Sequence, residues 1–390
     1  MSLLEEFRLI ERSHPHYRRI PGSIYLAGGD PNFATPSHIR DAAIKAIIEG
    51  YTHYPPTEGI PELREAIVEY YSQFGVKYKP SQAYITPGGG GALHLANIAL
   101  VDKGDEILTF DPSFSRYFTT PYYMDQKVVP VPLTEPGYHL NPEELKKRVT
   151  NKSKMLIICN PNNPTGTVYT KEEYKAIADI IIDNDMIALT DEFYCEFIYD
   201  GRKHIALSSI DGMKERTAVL IGGTKCFAFT GWRLASLIVP EELYPKVANT
   251  ARHLGARPST FIQRAGAVAF KSALKPHGKG VLKEWRDEYD RRRKYFCKRM
   301  DEIDGISCHT FEGAFYAYPD VSSFGVPIDK FVEDLLNKGK VQVGNGENHG
   351  GVRLIGKESP AYGHIRPALV QDVEVLEEAG DRIERFVKTL

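Results

Sequence analysis

An α/β fold is what this 390-residue sequence predicts: a large unit with a mostly parallel sheet covered by helices, and a smaller α+β unit built from both chain ends. Three observations carry the expectation. Short apolar runs alternate with amphipathic helical patterns through the middle of the chain. Those runs consist mostly of branched apolar side chains, as a sheet covered on both faces requires. The last third carries long helical patterns with one apolar and one charged face.

In chain order, Tyr84-Ile85-Thr86-Pro87 reads as a strand that ends in the glycine quartet 88–91 and opens into a helix at Ala92-Leu93-His94. Further strands are expected at 106–110, 155–159, 186–190, 217–221 and 235–239. A helix begins after Thr170, whose partner Glu173 three residues on completes a capping box. Its apolar residues Tyr174, Ile177, Ala178 and Ile181 share one face. Residues 280–303 read as one long helix, with Leu282, Trp285, Tyr289, Phe296, Met300 and Ile303 at helical steps; the opposite face is a solvated run of charges. The glycine-rich stretch 343–351 reads as loop. The run 368–370 reads as a strand able to hold the preceding Arg366, and 372–387 as a closing helix. The expected division is a large domain over 46–280 and a small one from 1–45 with 281–390.

Composition excludes several classes of function. With 49 basic and 51 acidic side chains the net charge is −2, which leaves no global field for nucleic acid or an anionic membrane. A 42% hydrophobic content with 22 Tyr and 18 Phe excludes a disordered chain. The cysteines, at 159, 195, 226, 297 and 308, are odd in number and form no CxxC pair. That pattern opposes a disulfide framework or a metal cage and fits a reducing cytoplasm. The start, MSLLEEF, lacks the basic-then-apolar build of a signal peptide, and the uncharged stretch 81–101 is broken by four glycines and a proline, so no membrane span is expected.

Chemistry concentrates just after the expected strands, at the sheet edge where open α/β proteins bind ligands. Thr224-Lys225 follows one strand and two glycines, a setting that can desolvate an amine and lower its pKa; Arg233, eight residues on, offers a planar fork for phosphate. Taken alone, these also fit a surface lysine and a core-edge arginine. Asn160-Pro161-Asn162-Asn163-Pro164-Thr165-Gly166 presents a side-chain amide on a stiff turn, or is simply a turn. Asp191, at the end of an apolar run, needs a cation to offset its burial, or caps a helix. The glycine quartet can cradle a phosphate on backbone amides at a helix start, but it has neither the spacing of a dinucleotide site nor a Walker lysine.

Together these segments resemble the class I/II aminotransferases, fold type I enzymes dependent on pyridoxal 5′-phosphate (PLP) and similar to aspartate aminotransferase. The resemblance runs from Gly29-Asp30-Pro31-Asn32-Phe33 and Tyr54-Pro55-Pro56-Thr57-Glu58-Gly59 to His364-Ile365-Arg366. It implies that Lys225 holds PLP as a Schiff base, that Asp191 pairs with the pyridine nitrogen, and that Tyr194 and Asn163 bond the ring oxygen. It also implies that Phe114 stacks on the ring and that Gly89, Gly90, Thr224 and Arg233 surround the phosphate, with Tyr54 arriving from the neighbouring subunit of a homodimer. Arg366 would clamp the substrate carboxylate beside Gly29, with Arg353 as a rival. Gly223 and Gly222 stand where relatives often place a bulkier residue and a serine, respectively, near the lysine. The activity implied is transfer of an amino group from an L-amino acid to a 2-oxo acid. A PLP-dependent carbon–sulfur β-lyase or a non-catalytic PLP-binding regulatory module remain alternatives, and the donor and acceptor stay open.

Overall fold

The computed structural model describes residues 20–390; the expectations placed on residues 1–19, including the start of the small domain, lie outside the described residues. In chain order the strands and main helices are β1 (Ile24–Leu26), α1 (Ser37–Ile48), α2 (Pro61–Tyr71), β2 (Ala83–Thr86), α3 (Gly88–Leu100), β3 (Glu106–Asp111), α4 (Ser115–Thr119), β4 (Lys127–Pro132), β5 (Ser153–Cys159) and α5 (Lys171–Asp183). There follow β6 (Ile187–Asp191), β7 (Thr217–Ile221), β8 (Ala235–Ile238), α6 (Thr260–Ala273), α7 (Pro276–Asp301), β9 (Val341–Asn345), β10 (Ile365–Arg366) and α8 (Val373–Val387).

Seven strands form one sheet in the order β2-β8-β7-β6-β5-β3-β4. Neighbours from β7 through β4 pair parallel, while β8 runs antiparallel to both β7 and β2. Alternate residues of β5 feed opposite cores. Met155 and Ile157 join the cluster on one face, Leu156 and Ile158 the cluster on the other, and all four are fully buried. This double coverage explains why these strands read as continuous apolar runs instead of alternating ones. The capping box at α5 forms as its spacing predicts: Thr170 Oγ1 accepts from Glu173 N, and Thr170 N donates to Glu173 Oε2.

A second sheet of three strands, β1-β9-β10, joins the N-terminal part of the described chain to its C-terminal part. Here the expectation of a loop over 343–351 fails at its start, where 343–345 belong to β9; the rest is a 3-10 turn over Gly346–His349 and irregular chain. β9 pairs parallel with β1 on one side and antiparallel with β10 on the other, so Gly344 and Asn345 lie opposite Arg366 and Ile365. Backbone ladders on both sides define this strand, and a ladder needs no Cβ, so its glycine content misleads. The run 368–370 is not a strand either. Pro367 ends β10 after Arg366, and Ala368 N and Leu369 N bond instead to Leu26 and Phe315 carbonyls.

Candidate active site

Because β3, β5, β6 and β7 run parallel, their carboxyl ends align, and the polar segments after them gather at one edge. β2, reversed relative to β8, brings the start of α3 to the same edge. A cleft of about 300 Å³ lies there, lined among others by Gly29, Gly89, Gly90, Phe114, Asn163, Asp191, Tyr194, Thr224, Lys225, Arg233 and Arg366. The structure therefore collects residues from positions 29 to 366 in one place.

Lys225 sits in the turn after β7, and its Nζ donates to the Gly29 carbonyl. Burial lowers its pKa to about 8, with Arg366 and Arg233 pushing the same way against Asp30 and Asp191. At that value about a tenth of the amine is unprotonated and nucleophilic at pH 7, far more than for an ordinary lysine. Asp191, at the tip of β6, is raised to about 6 by burial, aided by Glu192; Tyr117 and Phe193 oppose the shift by hydrogen bonding. Tyr117 Oη donates to Oδ2 at 2.5 Å, and Phe193 N donates to Oδ1 at 3.3 Å. Asp191 is thus oriented from two sides inside the cleft.

The turn at the start of α3 has no room for side chains. A Cβ on Gly88 would lie 2.6 Å from the Arg233 guanidinium, and one on Gly89 would lie 2.7 Å from the Phe193 ring. Arg233 itself adopts the left-handed conformation, φ +53°, with Nη1 on the Thr230 carbonyl at 3.1 Å. Ala228, three residues after the lysine, is left-handed too, at φ +50°. Strain of this kind on residues with a Cβ is characteristic of sites held by their surroundings.

On the other wall, Arg366 Nη1 donates to Asn163 Oδ1 at 3.3 Å and Nη2 to the Ala27 carbonyl at 2.5 Å, while its guanidinium lies 4.6 Å from the Tyr316 ring centre. Among the described residues its buried Nε has no hydrogen-bond partner. Tyr194 and Tyr316 share a hydroxyl–hydroxyl bond of 2.8 Å. Burial raises the pKa of both, so each hydroxyl keeps its proton at neutral pH.

Two residues stand apart. Tyr54 is 93% exposed and does not line this cleft, and Arg353 lies exposed on the short helix Val352–Ile355 and does not line it either. Among the cleft residues that escaped the sequence reading are Tyr117, Tyr316 and Arg116. Tyr117 follows Phe114 by three positions, which on α4 is nearly one turn, so a helical reading of 114–119 would have paired them. Tyr316 carries no such signal, because its partners are distant in sequence.

Among the described residues no helix is long and apolar enough to cross a membrane, and no cluster of three or more His, Cys, Asp or Glu is placed to hold a metal.

A buried amine, a buried carboxylate and two guanidinium groups at the carboxyl edge of such a sheet define the fold type I α/β enzymes that handle amino acids. The profile of the aminotransferase class I and II family matches residues 21–375, and the chain belongs to that family: it is an aminotransferase. It is 38% identical over 368 residues to the aspartate aminotransferase of Pyrococcus abyssi, covering 94% of this chain and 92% of that one. To the aromatic-amino-acid aminotransferase 2 of Thermococcus litoralis it is 37% identical over 372 residues, 95% of this chain and 92% of the relative. The solved aromatic aminotransferase of Pyrococcus horikoshii superposes with a TM-score of 0.89 at 36% identity, covering 100% of this chain and 99% of that one.

Proposed function

We propose that the protein is a PLP-dependent aminotransferase, moving an amino group from an L-amino acid to a 2-oxo acid. The observation that carries the reading is the convergence of Lys225, Asp191, Arg233 and Arg366 on one cleft. The donor set fits PLP. It offers a desolvated amine for an aldehyde, a buried carboxylate for a ring nitrogen, and an arginine beside a side-chain-free glycine turn for a phosphate.

PLP bound there supplies an electron sink for the charge left when an amino acid loses its α-proton. The chain's own residues do the rest. Lys225 Nζ would hold the cofactor, and as a free amine it would take a proton from the substrate Cα and return it as acid. Asp191, held by Tyr117 and Phe193, keeps a proton on the ring nitrogen. Tyr194 and Asn163 would bond the ring oxygen, and Phe114 would cover the ring face. Gly89, Gly90, Thr224 and Arg233 hold the phosphate. Arg366, fixed by Asn163, the Ala27 carbonyl and Tyr316, grips the α-carboxylate beside Gly29 and so orients the bond to be broken.

The reading includes a homodimer in which Tyr54 of the partner subunit reaches the phosphate. The exposure of Tyr54, together with exposed Ile44, Ile47 and Ile48 on α1, supports it. We place the small domain at 1–45 and 281–390 and the large one at 46–280. The five unpaired, buried cysteines fit a cytoplasmic setting.

The test is a half-reaction on the holoenzyme. An amino acid alone should bleach the cofactor band with release of one equivalent of 2-oxo acid, and a second 2-oxo acid should restore it. Release of ammonia would instead mark a β-lyase, and no response to any donor a regulatory module. Two variants refine the residue roles. Arg366→Lys keeps the charge but loses the fork, so kcat/KM for amino acids should fall by about 100-fold or more while cofactor absorbance persists. Arg353→Lys should be mild; the reverse ranking would mean that the arginine of the exposed short helix enters the site. Tyr54→Phe should weaken PLP binding by about tenfold, the value of one hydrogen bond to a charged group, with the chain still folded. An unchanged PLP dissociation constant would remove Tyr54 from the phosphate site.

A further inference from the structure

The carboxyl end of β3 carries an ionisable group that the roles above do not use. Asp111, the last residue of that strand, is fully buried, and neither of its carboxyl oxygens has a hydrogen-bond partner among the described residues. Gly350 and Gly351 cover it. A Cβ on Gly350 would lie 2.6 Å from Asp111 Oδ1, and one on Gly351 would lie 2.7 Å from Oδ2, so only backbone free of side chains can close over the carboxyl. Burial raises its pKa to about 6, and Ser359, the Gly351 amide and Arg148 offset that shift only in part. The other ionisable groups on the elements packed around it are Tyr318, which burial keeps protonated, and Glu347 and His349 of the covering chain.

The cover is a separate piece of chain. Where the amides of 350–362 donate, they donate to oxygens within 347–362, among them Leu354 N to Gly351 and Tyr362 N to Ser359, so no ladder ties this stretch to either sheet. Between 351 and 361 the buried positions are Gly351, Ser359 and Ala361, and the rest of the stretch faces solvent wholly or in part. His349 links the cover to the cleft. Its carbonyl accepts from Ser113 N at 2.7 Å, and its ring lies 6.2 Å from the ring of Phe114. Ser113 and Phe114 follow Asp111 within three positions, so the covered carboxyl and the cleft wall share one seat. An uncharged carboxyl can sit beneath the two glycines at little cost. An ionised one has no partner there and favours a cover that lifts and admits water.

We infer that Asp111 is a positioning residue: its carboxyl, neutral or charged, sets how firmly the 350–362 segment is seated and, through His349, how firmly Phe114 is held in the cleft wall. The part that concerns PLP rests on the reading above, in which Phe114 covers the ring; the part that concerns the segment does not. Linkage gives the size and the sign. The carboxyl titrates at 3.8 when uncovered and at about 6 when covered, so the cover is lost more readily as pH rises through that window. Opening should be about tenfold more frequent at pH 8 than at pH 5, with nearly all of the change complete by about pH 7.

The test is hydrogen exchange of peptides spanning 346–362 in the PLP-loaded enzyme from pH 5 to pH 8, corrected for the chemical exchange rate at each pH. The wild type should lose about tenfold in protection across that range. Asp111→Asn and Asp111→Ser, both uncharged and the second also smaller, should stay flat. Glu347, which burial also shifts upward, titrates in all three proteins, so the difference between them reports on Asp111. Peptides of α2, which packs at the β2 end of the large sheet, should show no such difference. The PLP dissociation constant of the wild type relative to Asp111→Asn should rise several-fold between pH 5 and pH 8. Exchange profiles of equal slope in wild type and variants, or a slope shared by α2, overturn the inference. A slope confined to the segment with an unchanged ratio of PLP constants overturns the link to Phe114. If the protein takes up no PLP, the reading of the site falls, while exchange in the unloaded chain still decides what Asp111 does.

Discussion

Lys225→Ala should reduce amino-group transfer by at least about 10⁴-fold, because one side chain supplies both the covalent anchor and the proton shuttle. The variant should fold and still bind PLP, since Arg233, the glycine turn and Asp191 remain in place. Borohydride treatment of the wild type followed by peptide mass spectrometry should find the reduced adduct on Lys225, and none should form in the variant. An adduct on another lysine would refute the assignment. The effect is expected to be this large because no second amine can substitute: Lys225 is the only lysine lining the cleft among the described residues.

Replacing Asp191 should give the second-largest loss, and it separates catalysis from stability. Asp191→Asn removes the negative charge opposite the ring nitrogen, and proton abstraction in single turnovers should slow by about 10²–10³-fold. Rates close to wild type would leave Asp191 with no more than a structural role. Stability of the PLP-free protein should move the other way. Burial raises the Asp191 carboxyl from 3.8 to about 6, so between these values the folded chain binds more protons than the unfolded chain. Stability of the PLP-free wild type therefore falls as pH rises through that window, and the loss is complete above about 6. A shift of this size corresponds to about 3 kcal/mol. Asn carries no such charge, so the PLP-free variant should be more stable than wild type at pH 7 and no more stable at pH 4. Denaturation midpoints that stay parallel across the range would contradict this. Asp111, also raised to about 6 by burial, titrates in the same window in both proteins, so only the difference between them reports on Asp191. A charged group that weakens the empty fold is what a site built around a cationic ring nitrogen entails.

Much of this protein could be read from the chain alone. The apolar runs that became β3, β5, β6, β7 and β8 are local, and double burial makes them continuous. The capping box at Thr170 is a contact across three residues, settled by neighbours in sequence. Lys225, Asp191 and Asn163 could be singled out because each follows a strand, and the parallel order of β5, β6 and β7 then sets those strand ends side by side. Contacts between distant segments were another matter. β9 is a strand because β1 and β10 flank it, and its own glycine content points the other way. Tyr117 on Asp191 spans 74 positions, Tyr194 on Tyr316 spans 122, and Arg366 on Asn163 spans 203. Sequence favoured Arg366 over its rival Arg353, but only pairing with β9 turns Arg366 into the cleft, while Arg353 stays outside it. Arg116 reaches the cleft beside a glycine 26 positions earlier, whose missing side chain leaves room for its guanidinium. Periodicity and caps depend on interactions within a turn or two of chain, so they are written locally. The charges a cleft leaves unpaired depend on which distant segments the sheet brings together, and that was decided only in the folded protein.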